Sequence, residues 1–268
     1  MKGKQVAAWL RKKWEQIAGQ IFVDDANCLA CGREIPRGGK DRLCKSCRAQ
    51  TVRIGDECCI KCGRSVHNES DYCIPCQHKP RAFARARSVY PYEGAAGLLV
   101  RKLKFSNARY LAKYMAAEMV DTVLDHEMWC DVVVPVPLSK QHRKRRGYNQ
   151  AELLARVVAE KLKLPLDTEH LIKIRDTAEQ AKLSGAERED NVRGAYQVQD
   201  KLAFVGKRVL VIDDVMTTGA TGDEIARTLL QNGAKQVELL TYCSAKYRLP
   251  AEPQTDGTNI SVIWEENQ

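Results

Sequence analysis

The chain lacks any long uninterrupted run of apolar residues. No stretch approaches the roughly 18 consecutive apolar residues that a membrane-spanning helix requires, so we expect no transmembrane segment. We also expect no secretion signal, because Lys and Arg interrupt the apolar positions of residues 1–23 and no small-residue cleavage site follows. These residues are instead predicted to form an amphipathic helix folded onto its own protein, with docking to a partner or to a membrane surface as the alternative.

Residues 24–80 have few large apolar side chains and cannot form a conventional core, so this segment needs another source of stability. Nine of the 11 cysteines lie between Cys28 and Cys76, and eight of them form four Cys-x-x-Cys pairs. In a chain without a secretion signal, this pattern indicates metal binding rather than disulfides. We therefore predict a small metal-binding module over residues 24–80.

The spacing of the pairs is typical of two zinc ribbons. Twelve residues separate the first two pairs and ten separate the last two, and Gly32 and Gly63 follow the turns that bring two thiolates together. Cys58 is out of register and is a spare, while His67 and His78 are reserve ligands only. The sequence leaves sequential and cross-braced pairing both open. The predicted ligands of two structural zinc ions are Cys28, Cys31, Cys44, Cys47, Cys59, Cys62, Cys73 and Cys76.

Basic residues exceed acidic ones and give a formal net charge of +9. Such an excess favours polyanionic partners, either nucleic acid or phosphorylated substrates. Closed four-cysteine zinc sites stabilise structure and leave no position for a catalytic water, so the ribbons serve folding alone or also present cations to nucleic acid. Around the first ribbon those cations are Arg33, Arg37, Lys40, Lys45 and Arg48.

From Ala84 onward, strand-like and helix-like patterns alternate. This alternation predicts an α/β domain over residues 84–268, with a mostly parallel sheet covered on both faces. The predicted strands are residues 86–92, 131–135, 208–212, 236–242 and 260–264, and the predicted helices are residues 94–105, 109–124, 149–163 and 222–232. The polar residues 175–191 lack a clear period and are predicted to form a long loop.

Residues 208–221 are the most informative stretch of the chain. Four apolar residues predict a buried strand, Asp213 and Asp214 stand at its carboxyl end, and a Thr- and Gly-rich loop leads into a helix. In an open α/β sheet, ligands bind beyond the carboxyl ends of the strands, and a loop that opens a helix turns its N–H groups toward a phosphate. We call residues 213–221 the phosphate loop and expect it to bind a phosphosugar, with the two carboxylates on ribose hydroxyls.

The phosphate loop resembles the signature of type I phosphoribosyltransferases, which bind phosphoribosyl pyrophosphate (PRPP) with Mg²⁺ held mainly by the substrate. The resemblance implies a catalytic role for Asp213 and Asp214 and a PRPP-binding role for the rest of the loop. Members of that family place a pyrophosphate loop after an earlier strand, and residues 175–193 resemble their mobile flap. The implied PRPP-binding residues are Val215, Met216, Thr217, Thr218, Gly219, Ala220, Thr221, Pro137, Leu138, Ser139, Arg143 and Arg146.

Residues 28–245 as a whole resemble the ComF/GntX family. The motifs that carry this resemblance are the double ribbon, residues 103–105, 135–138, 146–150 and 180–191, and the phosphate loop. The family implies a cytoplasmic role in natural transformation on single-stranded DNA, with a competence helicase as a candidate partner. No segment resembles a hood that would read a base, so two functions stay open: handling of DNA, or transfer of a phosphoribosyl group. The cations of residues 140–146 would then bind pyrophosphate or a nucleic-acid backbone, or form a solvated charge run.

Overall fold

The structure is a computed structural model that describes residues 26–36, 41–66, 70–176 and 190–245. The helix predicted over residues 1–23 and the strand predicted over residues 260–264 lie outside the described residues. The strands are β1 (Arg85–Pro91), β2 (Val132–Pro135), β3 (Leu171–Lys173), β4 (Tyr196–Val198), β5 (Arg208–Met216) and β6 (Gln236–Ser244). The helices are α1 (Lys45–Ala49), α2 (Ile74–His78), α3 (Gly94–Phe105), α4 (Leu111–Asp125), α5 (Lys140–Arg146), α6 (Gln150–Leu162) and α7 (Ala220–Gln231).

Four strands form a parallel sheet in the order β1-β6-β5-β2. The side chains of β5 alternate between two cores, since Leu210 and Ile212 pack with α3, α4 and α6 while Val209 and Val211 pack with α7. A parallel strand buried on both faces explains the continuous apolar run in the sequence. The predicted α/β fold, with a parallel sheet covered on both faces, is confirmed.

Three local features differ from the predictions. The basic residues 140–146 form helix α5, which starts at Ser139, whose side chain accepts the His142 N–H, and stops at Gly147 with φ of 76°. Strand β5 extends beyond the predicted residue 212, so the acidic pair lies within the strand, because Val215 and Met216 still pair with β6. The short antiparallel hairpin of β3 and β4 was not predicted.

The cysteine-rich segment packs against both faces of the domain. Cys28, Leu29 and Cys47 belong to the core beneath α3 and α4, whereas Cys59 and Cys62 belong to the core beneath α7. The two ribbons therefore extend both cores of the sheet and are not a separate appendage. Among the described helices, none combines the length and the apolar character needed to cross a membrane.

Candidate functional site

The eight predicted zinc ligands fall into two groups of four. Within each group the sulfur atoms lie within 4.8 Å of one another, with Cys31 and Cys44 Sγ 3.7 Å apart and Cys62 and Cys73 Sγ 3.5 Å apart. Tetrahedral zinc with Zn–S bonds of about 2.3 Å separates its sulfur atoms by about 3.8 Å. Both groups therefore fit a zinc ion. The first group is Cys28, Cys31, Cys44 and Cys47, and the second is Cys59, Cys62, Cys73 and Cys76, so the pairs are grouped sequentially along the chain.

The two zinc-binding turns share one backbone design. The Cys28 carbonyl accepts the Gly32 N–H at 2.8 Å, and the Cys59 carbonyl accepts the Gly63 N–H at 2.7 Å. Both glycines adopt positive φ, 76° and 63°, which explains the choice of glycine after each pair. In the first ribbon, a hydrogen bond from the Arg33 backbone is the main cause that lowers the pKa of the Cys31 thiol to about 6. A thiolate at neutral pH is the form that binds zinc.

Cys58 lies outside the second group, as its register predicted, and is buried beside it. Within the described residues His78 belongs to neither group, and His67 lies outside those residues. Eight cysteines are thus sufficient for two closed sites, with no open coordination position for a catalytic water.

The two acidic residues of β5 point to different surroundings. Asp214 is buried and pairs with Lys104 of α3, whose Nζ lies 2.9 Å from Asp214 Oδ1. Asp213 lines a small cavity together with Val211, Thr221 and other residues of the phosphate loop. Burial, followed by the charge of Asp214, raises the pKa of Asp213 to about 7, although Lys104 acts against this rise. Burial would lower the pKa of Lys104, but the two carboxylates outweigh it and raise that pKa.

The phosphate loop runs from this acidic pair into helix α7. Val215, Met216 and Thr217 line the same cavity as Asp213, and the Thr218 hydroxyl accepts the Ala220 N–H at 3.3 Å. Gly219 has φ of 82°, a left-handed conformation that lets the chain turn into the helix at Ala220. A 12-residue helix thus begins at the wall of the cavity, which Thr221 and Gly222 also line, and its N-terminus carries a positive dipole end.

The predicted pyrophosphate loop lies at the same edge of the sheet. Pro135 is the register partner of Ile212, and Val136 donates to the Ile212 carbonyl, so Pro137 and Leu138 leave the sheet beside the acidic pair. Ser139 is buried, and its hydroxyl lies 2.9 Å from His142 Nδ1. The structure therefore brings residues 137–139 to the edge where Asp213 lies.

Arg143 and Arg146 of α5, which the resemblance implied as PRPP-binding residues, contact different partners. Arg143 forms an ion pair with Glu152 of α6 at 3.0 Å and is turned toward that helix. Arg146 donates to Gln150 Oε1 at 3.1 Å and lies over the Phe105 ring, with 5.4 Å between the guanidinium carbon and the ring centre. Of these two arginines, Arg146 lines a groove together with Lys104 and Arg143 does not.

This groove combines cations with aromatic rings. It encloses about 450 Å³ and opens to solvent beside the Lys104–Asp214 ion pair. Phe105 is 70% exposed, and Arg109 stacks over the Tyr148 ring at 4.5 Å. We call it the basic groove, and the residues that line it are Lys104, Phe105, Asn107, Arg145, Arg146 and Tyr148.

Three residues near the acidic pair were not predicted from the sequence as site residues. Lys104 lies within residues 103–105, a motif of the family resemblance that implies no role for it. Lys173 of β3 lies 5.7 Å from the ring centre of Tyr196 on β4, and burial lowers its pKa while Asp176 and Asp213 oppose this effect. Burial raises the pKa of Tyr196, which also bonds Thr221. Strands of three residues carry too little pattern to reveal these positions.

Comparison with known proteins adds family models and relatives to this geometry. A phosphoribosyl transferase domain model matches residues 145–267, and a double zinc ribbon domain model matches residues 23–77. The DNA utilization protein YhgH of Salmonella typhi is 34% identical over 206 residues, which are 75% of this chain and 89% of that protein. The chain belongs to the ComF/YhgH family. The family recognised in the sequence is thereby confirmed.

Two other relatives of this ComF/YhgH-family chain carry names that refer to competence. Competence protein F of Haemophilus influenzae is 28% identical over 79% of this chain and 94% of its own length. Competence protein ComFC of Bacillus subtilis is 30% identical over 72% of this chain and 80% of its own length. The family models include all eight zinc-binding cysteines and the whole phosphate loop.

Proposed function

We propose that this chain handles single-stranded DNA that enters the cytoplasm during natural transformation, and that its phosphate loop binds PRPP with Mg²⁺. The names of its relatives, a DNA utilization protein and two competence proteins, support the biological role. The basic groove beside the acidic pair is the observation that carries the DNA-binding part. In this proposal residues 24–80 form the ribbon module, residues 84–268 form the phosphoribosyltransferase-like domain, and a competence helicase is the candidate protein partner.

The basic groove suits a flexible single strand. An exposed aromatic ring offers a face on which any base can stack, and such stacking contributes about 1–3 kcal/mol per base. Phe105 offers such a ring, and Arg145 and Arg146 lie beside it to contact the phosphates. Cationic contacts to phosphates are independent of base sequence and weaken as salt rises. The net charge of +9 favours the same partner.

The exchange of Phe105 for alanine tests this assignment. Anisotropy of a labelled oligothymidylate should show a Kd about 5- to 150-fold higher for Phe105→Ala, which corresponds to the loss of one stacked base. Trp129→Ala is the matched control, because Trp129 is a 63% exposed aromatic residue. It precedes β2 and so lies at the amino ends of the strands, away from the acidic pair. Equal losses in both variants, or binding that does not depend on salt, would refute the groove as the DNA site.

The proposed PRPP site uses the acidic pair and the phosphate loop. Asp213 and Asp214 would accept hydrogen bonds from the ribose hydroxyls, and the loop that opens α7 would donate to the 5′-phosphate. Mg²⁺ prefers oxygen ligands and water, so the substrate phosphates would hold most of its shell. Calorimetric titration with Mg²⁺-PRPP should detect binding to the wild type and none to the Asp213→Ala, Asp214→Ala double variant.

The raised pKa of Asp213 favours phosphoribosyl transfer as the second candidate function. A carboxyl group with a pKa of about 7 can accept a proton from an attacking nucleophile at neutral pH. Exchange of labelled pyrophosphate into PRPP, measured with and without single-stranded DNA, should then occur and vanish in the double variant. Tight PRPP binding without any exchange or consumption would eliminate transfer and leave DNA handling with a bound PRPP.

A further inference from the structure

Two backbone carbonyls of the phosphate loop are held by arginines that precede the sheet. Arg64 Nη2 donates to the Thr217 carbonyl, and Arg81 Nη2 donates to the Thr218 carbonyl at 3.0 Å. The Ala82 N–H also donates to the Asp223 carboxylate at 2.6 Å, in the first turn of α7. The loop and the helix it opens are therefore both fixed by the cysteine-rich segment and the residues that follow it.

Arg64 owes its position to the second zinc-binding turn. It follows Cys62 by two residues, and its carbonyl accepts the Cys59 N–H at 2.8 Å. Arg64 is only 6% exposed, so its side chain passes through the interior to reach the phosphate loop. A change in this turn therefore moves the guanidinium group that contacts Thr217.

The second turn is in addition fixed to strand β1. The Ala86 N–H donates to the Lys61 carbonyl at 2.8 Å, and Arg87 donates to the Ile60 carbonyl at 3.0 Å. A Cβ atom at Gly63 would collide with the backbone oxygen of Ala86, so the turn lies directly against the strand. The second cysteine cluster, its turn and the phosphate loop thus form one continuous set of contacts.

The first ribbon repeats the sequence but not this contact. Both ribbons contain Cys-x-x-Cys-Gly-Arg, which places Arg33 where the second ribbon has Arg64. Arg33 is exposed, and its side chain bonds the Cys31 thiol of its own cluster. The chain therefore offers an internal control for the role of Arg64.

We propose that the second cysteine cluster positions the phosphate loop through Arg64, so that zinc in this cluster and PRPP in the loop stabilise each other. Arg64 is a positioning residue in this view, with Arg81 in support, whereas its counterpart Arg33 in the first ribbon bonds its own cluster instead. The inference rests on the proposed PRPP site. Because coupling between two ligands is reciprocal, bound PRPP must raise the zinc affinity of the second cluster by the factor by which zinc in that cluster raises the affinity for PRPP.

The zinc-loaded full chain is suitable for the test. A chelator and a slowly reacting thiol-alkylating reagent are added with or without Mg²⁺-PRPP, so that zinc re-equilibrates before alkylation occurs, and mass spectrometry follows the alkylation of each cysteine. We expect PRPP to protect Cys73 and Cys76 about 5- to 150-fold, the usual range of such coupling, and to leave Cys28 and Cys31 unprotected. Arg64→Ala should abolish this protection and weaken PRPP binding, Arg64→Lys should restore part of both, and Arg33→Ala should change neither. Wild-type chain that binds PRPP without protection of the second cluster overturns the proposal.

Hydrogen–deuterium exchange separates this inference from the PRPP site itself. Without any ligand, the amides of Thr217, Thr218 and Gly219 should exchange faster in Arg64→Ala than in the wild type or in Arg33→Ala. Unchanged exchange overturns the positioning role even if PRPP binds. If the wild type fails to bind PRPP while the exchange still rises, the PRPP site is wrong and the positioning of the loop stands. Should Arg64→Ala not fold, Arg81→Ala and Arg64→Lys provide the same comparison.

Discussion

Replacing Asp213 by asparagine should stabilise the ligand-free protein at neutral pH and weaken its PRPP binding. Burial and the neighbouring Asp214 raise the pKa of Asp213 from its ordinary 3.8 to about 7. The unfolded chain therefore releases this proton at a pH about three units lower than the folded protein does. A group whose folded pKa is raised lowers stability as pH rises from the unfolded to the folded value, and the loss is complete above the folded value.

The magnitude follows from the distance between the two pKa values. At about 1.4 kcal/mol per pKa unit, wild-type protein at pH 8 should lose up to about 4 kcal/mol relative to a neutral residue at this position. Asparagine keeps the oxygen that accepts the Asp214 N–H, a bond of 2.8 Å, and cannot ionise. The stability advantage of Asp213→Asn should therefore grow by about 1 kcal/mol between pH 6 and pH 7, by less than about half of that between pH 7 and pH 8, and level off above pH 8.

Urea denaturation at constant zinc, at half-unit steps from pH 6 to pH 8, measures this advantage. Asp200→Asn is the control, because Asp200 is exposed and its exchange removes the same charge at the surface. A pH-independent difference between wild type and Asp213→Asn, or a difference equal to that of the control, would refute the reasoning. Stabilisation together with loss of PRPP binding would identify Asp213 as a residue kept for function at the expense of stability.

Two further changes probe the neighbouring contacts. Lys104→Ala leaves the Asp214 carboxylate buried without its ion pair, so the free energy of unfolding should fall by about 3–5 kcal/mol in urea denaturation. The control is Lys102→Ala in the same helix, where Lys102 donates to the Leu29 carbonyl at 2.9 Å. A smaller loss in Lys104→Ala than in Lys102→Ala would contradict the pairing with Asp214. Gly63→Ala introduces both a strained positive φ and a collision with Ala86, so zinc content by atomic emission should fall from two ions toward one per chain. Gly32→Ala has a similar φ but open space around it, and it should retain more zinc than Gly63→Ala.

Local patterns in the sequence predicted most of the fold and the eight cysteines that form the two clusters. Cys-x-x-Cys pairs and buried β-branched strands are short-range signals, so spacing alone was sufficient for them. Helix α5 was not predicted because its start depends on one hydrogen bond of Ser139 and its seven residues carry no apolar face. The end of β5 was placed too early because its last residues include two carboxylates, which seldom occur in a buried strand.

The contacts around the acidic pair could not be predicted in the same way. Arg64 and Thr217 are 153 residues apart in the chain, and only the folded structure brings them together. Lys104 reads as an ordinary charge at the end of a helix, since nothing nearby in sequence shows that it faces Asp214. The loop could thus be located from the sequence, whereas the groups that hold it could not.

The two ribbons share a motif but support different halves of the domain. In the first, Arg48 of α1 reaches the Glu118 carboxylate at 3.5 Å, which also accepts the hydroxyls of Tyr90 at 2.9 Å and Tyr242 at 3.0 Å. Each of these tyrosines is buried in the core beneath α3 and α4, so this cation compensates a carboxylate that the core would otherwise hold without a positive partner.

The second ribbon instead sends its arginine to the phosphate loop on the other face of the sheet. Metal loss from the two clusters should therefore have different consequences. Loss from the first weakens the core beneath α3 and α4, while loss from the second weakens the core beneath α7 and also releases the loop. If the second cluster binds zinc more weakly than the first, zinc limitation should abolish PRPP binding before it unfolds the domain. Stepwise chelation, followed at once by PRPP binding and by the melting temperature, decides this order.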